Sequence, residues 1–105
     1  MENLKFHHKT RSAAPGSSPD VLVGVVASGN LEVLLERVLA DTECTVEVAT
    51  PVSGFDDVWK AVIADFVERA SPGGLRISIN DGGARPDTVM LRLMQGVRKM
   101  ESGHE

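Results

Sequence analysis

The sequence predicts an α+β fold: a two-layer sandwich in which a largely antiparallel four-stranded sheet carries two helices on one face. Three observations support this class. Strand-like runs separated by turn residues fill the first half of the chain, two longer segments with helical apolar spacing fill the second half, and a strand-like run lies between those two segments. At 105 residues, the chain is expected to form a single domain over 1–105.

The first two segments differ in composition. Residues 1–9 alternate weakly through Leu4 and Phe6, which favours a short strand or a segment that docks on a partner. Residues 10–19 contain two prolines and a glycine but no large apolar side chain. We therefore expect a flexible linker or loop at 10–19.

Two apolar runs, at 20–27 and 31–37, meet at a short polar segment and predict a β-hairpin. Because Gly29 and Asn30 tolerate positive φ, the predicted turn is centred on them and leaves Ser28 at its tip. Serine is common beside turns because its hydroxyl bonds nearby backbone groups. The spacing alone therefore makes Ser28 a turn residue.

Two further runs complete the predicted sheet. Residues 44–50 alternate cleanly and are rich in β-branched side chains, and Pro51 ends the run because proline cannot donate to a sheet ladder. Residues 75–80 alternate in the same way and predict the fourth strand. The spacing of 31–40 also permits a helix, but the strand at 20–27 needs a partner, so we favour strand there.

Two helices are predicted. The first spans 55–69 and opens at Ser53 with a pattern close to a capping box. Its apolar residues recur at three- and four-residue steps and predict one buried stripe, with Trp59 as a core anchor. The stripe comprises Val58, Trp59, Val62, Ile63, Phe66 and Val67. The second helix begins at Pro86, although the same segment permits a strand over 88–94.

Composition argues against several classes of partner. Fifteen acidic and eleven basic residues give a formal charge of −4, and no basic stripe with interleaved aromatics is present, so we expect no nucleic-acid partner. No apolar run reaches membrane-spanning length and the start does not resemble a signal peptide, so we expect a cytoplasmic protein with no membrane partner. The single cysteine, Cys44, is expected to fill the core.

The sequence offers no catalytic or metal-binding constellation. An enzyme would be expected to show a nucleophile with its base, a carboxylate pair or a cluster of metal ligands. The three histidines lie in the two tails, and acids such as Glu32, Glu36 and Glu47 fit a solvated sheet face. We therefore expect no catalytic residue and no metal site.

Four segments of the sequence share features with one known family. They are Met1-Glu2-Asn3-Leu4-Lys5-Phe6, Ala27-Ser28-Gly29-Asn30-Leu31-Glu32-Val33-Leu34, Val48-Ala49-Thr50-Pro51-Val52-Ser53-Gly54 with Trp59 beyond, and Asn80-Asp81-Gly82-Gly83-Ala84-Arg85-Pro86 followed by Val89-Met90-Leu91-Arg92-Leu93-Met94-Gln95-Gly96. In this order they resemble the acyl carrier (delta) subunit family of bacterial malonate decarboxylase, over nearly the whole chain apart from 10–19. The family usually has glycine before its modified serine and aspartate two residues after it, so Ala27 and Asn30 depart from the pattern.

The resemblance implies an acyl carrier subunit and not a catalyst. In the family, the serine that matches Ser28 is joined through a phosphodiester to 2'-(5''-phosphoribosyl)-3'-dephospho-CoA, whose thiol holds acetyl and malonyl thioesters during decarboxylation of malonate to acetate and CO2. Gly29 and Asn30 would form the turn that supports this site. A thioester carbonyl favours the reaction because it can take up the carbanion charge as an enolate.

The resemblance also implies partners: an acyl-transferase (alpha) subunit, decarboxylase (beta and gamma) subunits, a prosthetic-group transferase and a malonyl-loading transferase. Two alternatives stay open at this point. One is the carrier subunit of citrate lyase, which uses the same prosthetic group on a different substrate. The other is a small α+β interaction domain without a prosthetic group, in which Ser28 is only a turn residue.

Overall fold

A computed structural model describes residues 1–102 of the chain. The elements are β1 Glu2–Lys9, β2 Asp20–Gly24, β3 Leu31–Arg37, β4 Glu43–Thr50, α1 Asp56–Ala70, β5 Leu75–Asp81 and α2 Pro86–Ser102. The strands form one mixed sheet in the order β1-β4-β5-β3-β2. The α+β class with two helices is confirmed, and the sheet has five strands where four were predicted.

The additional strand is β1, at one edge of the sheet. It pairs antiparallel with β4 and places Leu4 opposite Val48 and Phe6 opposite Val46. Both β1 side chains pack against the core. A short strand at 1–9 is thus present, but two large apolar residues were too weak a signal to assign it to the sheet.

One pair of neighbouring strands is parallel. β4 and β5 run in the same direction, with Val46 opposite Ile77 and Val48 opposite Ile79, whereas the other three pairs are antiparallel. A parallel pair requires a crossover connection, and α1 supplies it between these two strands. The sheet is therefore largely antiparallel, as predicted, but the parallel pairing of β4 and β5 was not predicted.

The core lies between one sheet face and the two helices. On β3, Leu31, Val33 and Leu35 are fully buried, while the side chains between them are partly exposed, which is the period of a half-buried strand. The helical alternative for 31–40 is therefore wrong. α1 and α2 contact each other and the same sheet. They contribute buried apolar side chains to one cluster, among them Trp59, Ile63, Phe66, Leu93, Val97 and Met100.

The helices lie close to their predicted positions. α1 begins at Asp56, and its N-cap residue Phe55 makes no side-chain capping bond, so the capping role predicted for Ser53 is not observed. Val58, placed in the buried stripe, is 40% exposed. Residues 88–94 are helical within α2, which rules out the strand alternative. Within residues 1–102, neither helix has the length and apolarity that crossing a bilayer requires.

The segment at 10–19 is irregular and lies against the rest of the protein. Ala14 is buried, and its N–H donates to the Gly73 carbonyl at 2.8 Å. The Arg37 guanidinium donates to three carbonyl oxygens of this segment at 2.8, 3.0 and 3.2 Å. Arg37 thus attaches the predicted loop to the end of β3, and the flexibility of the loop stays a prediction.

Replacing Trp59 by alanine is expected to lower the free energy of unfolding by about 3–5 kcal/mol, the usual cost of removing a large buried aromatic side chain. Trp59 is only 6% exposed and belongs to the core cluster. Urea denaturation followed by circular dichroism measures the change. Phe55→Ala is the matched control on the same helix end: Phe55 is 50% exposed, so its loss should cost only about 1 kcal/mol, half or less of the value for a fully buried side chain. Equal midpoints for both variants would show that Trp59 is not a core anchor.

Candidate functional site

The strands β2 and β3 are joined by an irregular loop at 25–30. β2 ends at Gly24, three residues earlier than predicted. Gly24 has φ +80°, and a Cβ there would lie 2.1 Å from the Leu31 carbonyl oxygen, so the backbone at this point requires glycine. Val25 and Val26 follow as exposed side chains. Their β-branched character favoured a longer strand, but the special backbone at Gly24 ends the ladder before them.

Ser28 lies in a tight turn within this loop. The Asn30 N–H donates to the Ala27 carbonyl at 2.9 Å, and Gly29 has φ +76°. These features define a type II turn whose central residues are Ser28 and Gly29. The predicted centre at Gly29 and Asn30 is therefore one residue too late, and Asn30 does not adopt positive φ. Ser28 is exposed, and its hydroxyl makes no hydrogen bond within residues 1–102.

A second loop, at 81–86, supports the serine turn through backbone contacts. The Gly29 N–H donates to the Gly82 carbonyl at 3.0 Å, and the Gly82 N–H donates to the Asn30 carbonyl at 2.8 Å. A Cβ on Gly82 would lie 2.0 Å from the Ala27 carbonyl oxygen. The two loops can approach this closely only because residue 82 has no side chain.

Asp81 fixes the supporting loop to the sheet. Its buried carboxylate accepts hydrogen bonds from the Thr50 hydroxyl at 2.8 Å and from the Ala84 N–H at 2.9 Å. Thr50 is the last residue of β4 and Asp81 the last residue of β5. Because these strands are parallel, their carboxyl ends lie side by side, and the bond between them positions the loop that holds Gly82.

Arg92 brings a positive charge from α2 to the serine turn. Its Nε donates to Asn30 Oδ1 at 3.2 Å, and its Nη1 donates to Gln95 Oε1 at 3.1 Å. Asn30 Oδ1 also accepts the Leu31 N–H at 2.8 Å. An aspartate at position 30 would offer an equivalent oxygen to both donors. Asn30 therefore keeps the acceptor that the resembled family has at this position and lacks the negative charge.

The turn at Ser28 was predictable from the sequence, but the residues that hold it were not. The sequence did not predict a supporting role for loop 81–86 or for Arg92. The contact between Arg92 and Asn30 joins positions 62 residues apart, and that between Thr50 and Asp81 joins positions 31 apart. No local pattern encodes such contacts, because they exist only once the sheet and α2 are assembled.

An apolar cavity of about 330 Å³ adjoins the supporting loop. Gly83 and its loop neighbours form one wall, and Phe55 and Trp59 of the α1 region form another. The polar side chains in its lining, Thr50 and Asp81, are hydrogen-bonded to each other. The open wall of the cavity is therefore mainly hydrocarbon and aromatic.

Other ionisable groups form structural pairs at the opposite edge of the sheet. Lys9 and His7 of β1 contact the Glu43 carboxylate of β4. The hydrogen bond from Lys9 is the main cause that lowers the pKa of Glu43 below its usual value. Across the part of the chain that the structure describes, no three His, Cys, Asp or Glu side chains are grouped so that they could hold a metal ion.

Comparison with known proteins places the chain in one family. The family model described as the malonate decarboxylase delta subunit (MdcD) matches residues 18–100, which include the serine turn, the supporting loop and Arg92. A protein of Bradyrhizobium diazoefficiens named malonate decarboxylase acyl carrier protein is 62% identical over 95% of both chains. A protein of the same name from Stenotrophomonas maltophilia is 47% identical over 98% of this chain and 97% of its own.

A solved structure shares the fold as well as the sequence. It is the crystal structure of a Pseudomonas malonate decarboxylase hetero-tetramer in complex with malonate, one chain of which matches with a TM-score of 0.83 at 36% identity. The match covers 95% of this chain and 99% of that chain. Sequence and fold therefore agree: the chain belongs to the malonate decarboxylase delta-subunit family of acyl carrier proteins.

Proposed function

We propose that this chain is the acyl carrier subunit of a malonate decarboxylase and that Ser28 is the attachment point of its prosthetic group. The observation that carries the proposal is an exposed serine hydroxyl on a turn that Gly82 and Arg92 hold in place. The names of the relatives support malonate as the substrate in preference to citrate. A role as an interaction domain without a prosthetic group would not explain why an exposed hydroxyl lies on a turn that is held in place.

The geometry at Ser28 suits modification by a transferase. During attachment, the serine oxygen forms a bond to phosphorus and the hydroxyl loses its proton, while the leaving group departs with the electrons of the bond that breaks. An exposed oxygen that no group of residues 1–102 hydrogen-bonds is accessible for this step. The turn is already ordered by its backbone contacts, so little conformational entropy is lost when an enzyme binds it. The guanidinium of Arg92 favours a phosphodiester anion nearby.

The chain has no thiol of its own that could carry an acyl group. Cys44 is fully buried, and burial raises the pKa of its thiol to about 12. At neutral pH this thiol is protonated and inaccessible, whereas thioester exchange requires a thiolate. The carrier thiol must therefore come from a bound group. We propose 2'-(5''-phosphoribosyl)-3'-dephospho-CoA, joined to Ser28 through a phosphodiester, which supplies a thiol that holds acyl groups as thioesters.

Several proteins must reach Ser28 if the proposal is right. We propose an acyl-transferase (alpha) subunit, decarboxylase (beta and gamma) subunits, a prosthetic-group transferase and a malonyl-loading transferase, all in the cytoplasm. The hetero-tetramer to which one solved chain belongs supports an assembly of different subunits. On this chain, Leu22, Val25 and Val26 are more than half exposed next to the turn and offer apolar contact area to such partners.

Ser28→Ala is expected to abolish both loading and malonate decarboxylation while leaving the fold intact. Gly29 still provides the positive φ of the turn, and an exposed serine far from core contacts contributes about 0.5 kcal/mol or less to stability. The test co-expresses each chain with the complete decarboxylase system and compares intact mass and acetate formation. Ser17→Ala, a change in the irregular segment, is the control and should load normally. An alanine variant at 28 that gains the full mass of the group would show that the attachment site is elsewhere.

Thiol counting tests the source of the carrier thiol. The folded, unmodified chain should not react with Ellman's reagent, because Cys44 is buried and its pKa is about 12. The folded, loaded chain should release one equivalent of thionitrobenzoate, and urea should expose one more thiol in both forms. Rapid reaction of the folded, unmodified chain would mean that Cys44 is accessible and that the argument for an external thiol is wrong.

Gly82→Ala is expected to slow loading of Ser28, since a Cβ 2.0 Å from the Ala27 carbonyl oxygen forces the two loops apart. Loss of the two backbone hydrogen bonds should also cost about 1–3 kcal/mol of stability. Gly54→Ala is the matched control: it strains a residue with φ +87° outside the cavity lining, and its Cβ would meet no atom of the described residues within 4 Å. Initial rates of mass gain with purified transferase distinguish the two, and equal rates would show that loading does not depend on the contact at Gly82.

A further inference from the structure

We propose that the cavity beside the supporting loop binds a purine nucleoside, and that the adenine of the group attached at Ser28 packs there against Phe55 and Trp59. The proposal rests on the function proposed above. It assigns a role to the 330 Å³ cavity, which the attachment of the group does not itself require.

The cavity lies within reach of the attachment point. Gly29 bonds Gly82 at 3.0 Å, and the next residue, Gly83, lines the cavity. Adding the peptide geometry on either side of this hydrogen bond places the Ser28 Cα no more than about 9 Å from the Gly83 Cα. About ten covalent bonds separate the serine oxygen from the adenine ring in the proposed group, a reach of about 10 Å, like that of three extended residues. The purine can therefore reach the cavity.

The walls suit a flat aromatic ring. Phe55 is 50% exposed, and the neighbouring Val52 and Val58 are 41% and 40% exposed, so three apolar side chains at the cavity face solvent. Trp59 also lines the cavity but is only 6% exposed, so Phe55 provides the accessible aromatic face and Trp59 lies next to the bound base. Aromatic side chains bind nucleobases by stacking on their π-faces, which needs few hydrogen bonds from the site. Covering these side chains with a base would remove the exposed apolar surface from water.

Charge excludes the other parts of the group from the cavity. Asp81 lines it, and Asp56 and Asp57 lie in the first turn of α1 next to Phe55. Phosphates and an acyl chain that ends in a carboxylate would be repelled by these groups and would lose their hydration in an apolar site. The neutral base is not repelled by these carboxylates and loses no hydration of a charged group. The distal thiol must also stay free to reach other subunits, which leaves the proximal nucleoside as the occupant.

Tryptophan fluorescence tests the site directly, because Trp59 is the single tryptophan of the chain. The unmodified chain is titrated with 3'-dephospho-CoA, and with phosphopantetheine as a probe that lacks the purine. We expect saturable quenching by 3'-dephospho-CoA and none by phosphopantetheine. Phe55→Ala should weaken the binding about 5- to 150-fold, the factor for one lost stack between a base and an aromatic ring. Leu91→Ala, which removes a 60% exposed side chain outside the cavity, should leave the binding unchanged.

The loaded chain gives a second readout that separates this proposal from the attachment at Ser28. Its Trp59 emission should be quenched relative to the unmodified chain, and Phe55→Ala should restore the emission while intact mass still shows loading. Loading without quenching would overturn the purine site and leave the attachment standing. Binding of 3'-dephospho-CoA without any loading at Ser28 would support the purine site and overturn the attachment at Ser28. No response to 3'-dephospho-CoA, an equal response to phosphopantetheine, or quenching only after other decarboxylase subunits are added would also overturn the purine site.

Discussion

The buried hydrogen bond between Thr50 and Asp81 sets the position of the candidate functional site. It joins the ends of two parallel strands and leaves the second carboxylate oxygen to hold the Ala84 N–H. The loop fixed in this way presents Gly82 to the serine turn on one side and Gly83 to the apolar cavity on the other. An unpaired carboxylate at this depth would be costly, so the hydrogen bond stabilises the register in which β4 and β5 end side by side.

The elements of the fold that depend on local periodicity were predictable from the sequence. The alternation of β3 and the three- to four-residue apolar spacing of α1 each correspond to a buried face in the structure. Features that depend on distant partners were not. The weak alternation around Leu4 and Phe6 becomes a strand because β4 offers a free edge. The parallel pairing of β4 and β5 follows from the path of the chain through α1. No local sequence pattern predicts this pairing.

At the candidate site, the sequence located the exposed serine but not its support. Gly29 was expected in the turn and has positive φ, while Asn30 lacks the expected positive φ and adds its side-chain oxygen as an acceptor to its backbone hydrogen bonds. That difference arises because Arg92 approaches from α2, a partner that local turn chemistry cannot include. Val58 likewise fits the predicted helical stripe by spacing, yet it borders an open cavity and not the closed core.

The burial of Cys44 has a consequence for fidelity under the proposed function, in which the acyl-carrying thiol belongs to a group attached at Ser28. An accessible cysteine on the same small chain would be at high local concentration relative to the tethered thioester, and acyl groups would migrate to it or a mixed disulfide would form. Either product would remove the subunit from turnover. Enclosure of the sulfur in the hydrophobic core closes both side reactions, so core packing would protect the proposed acyl group as well as the fold.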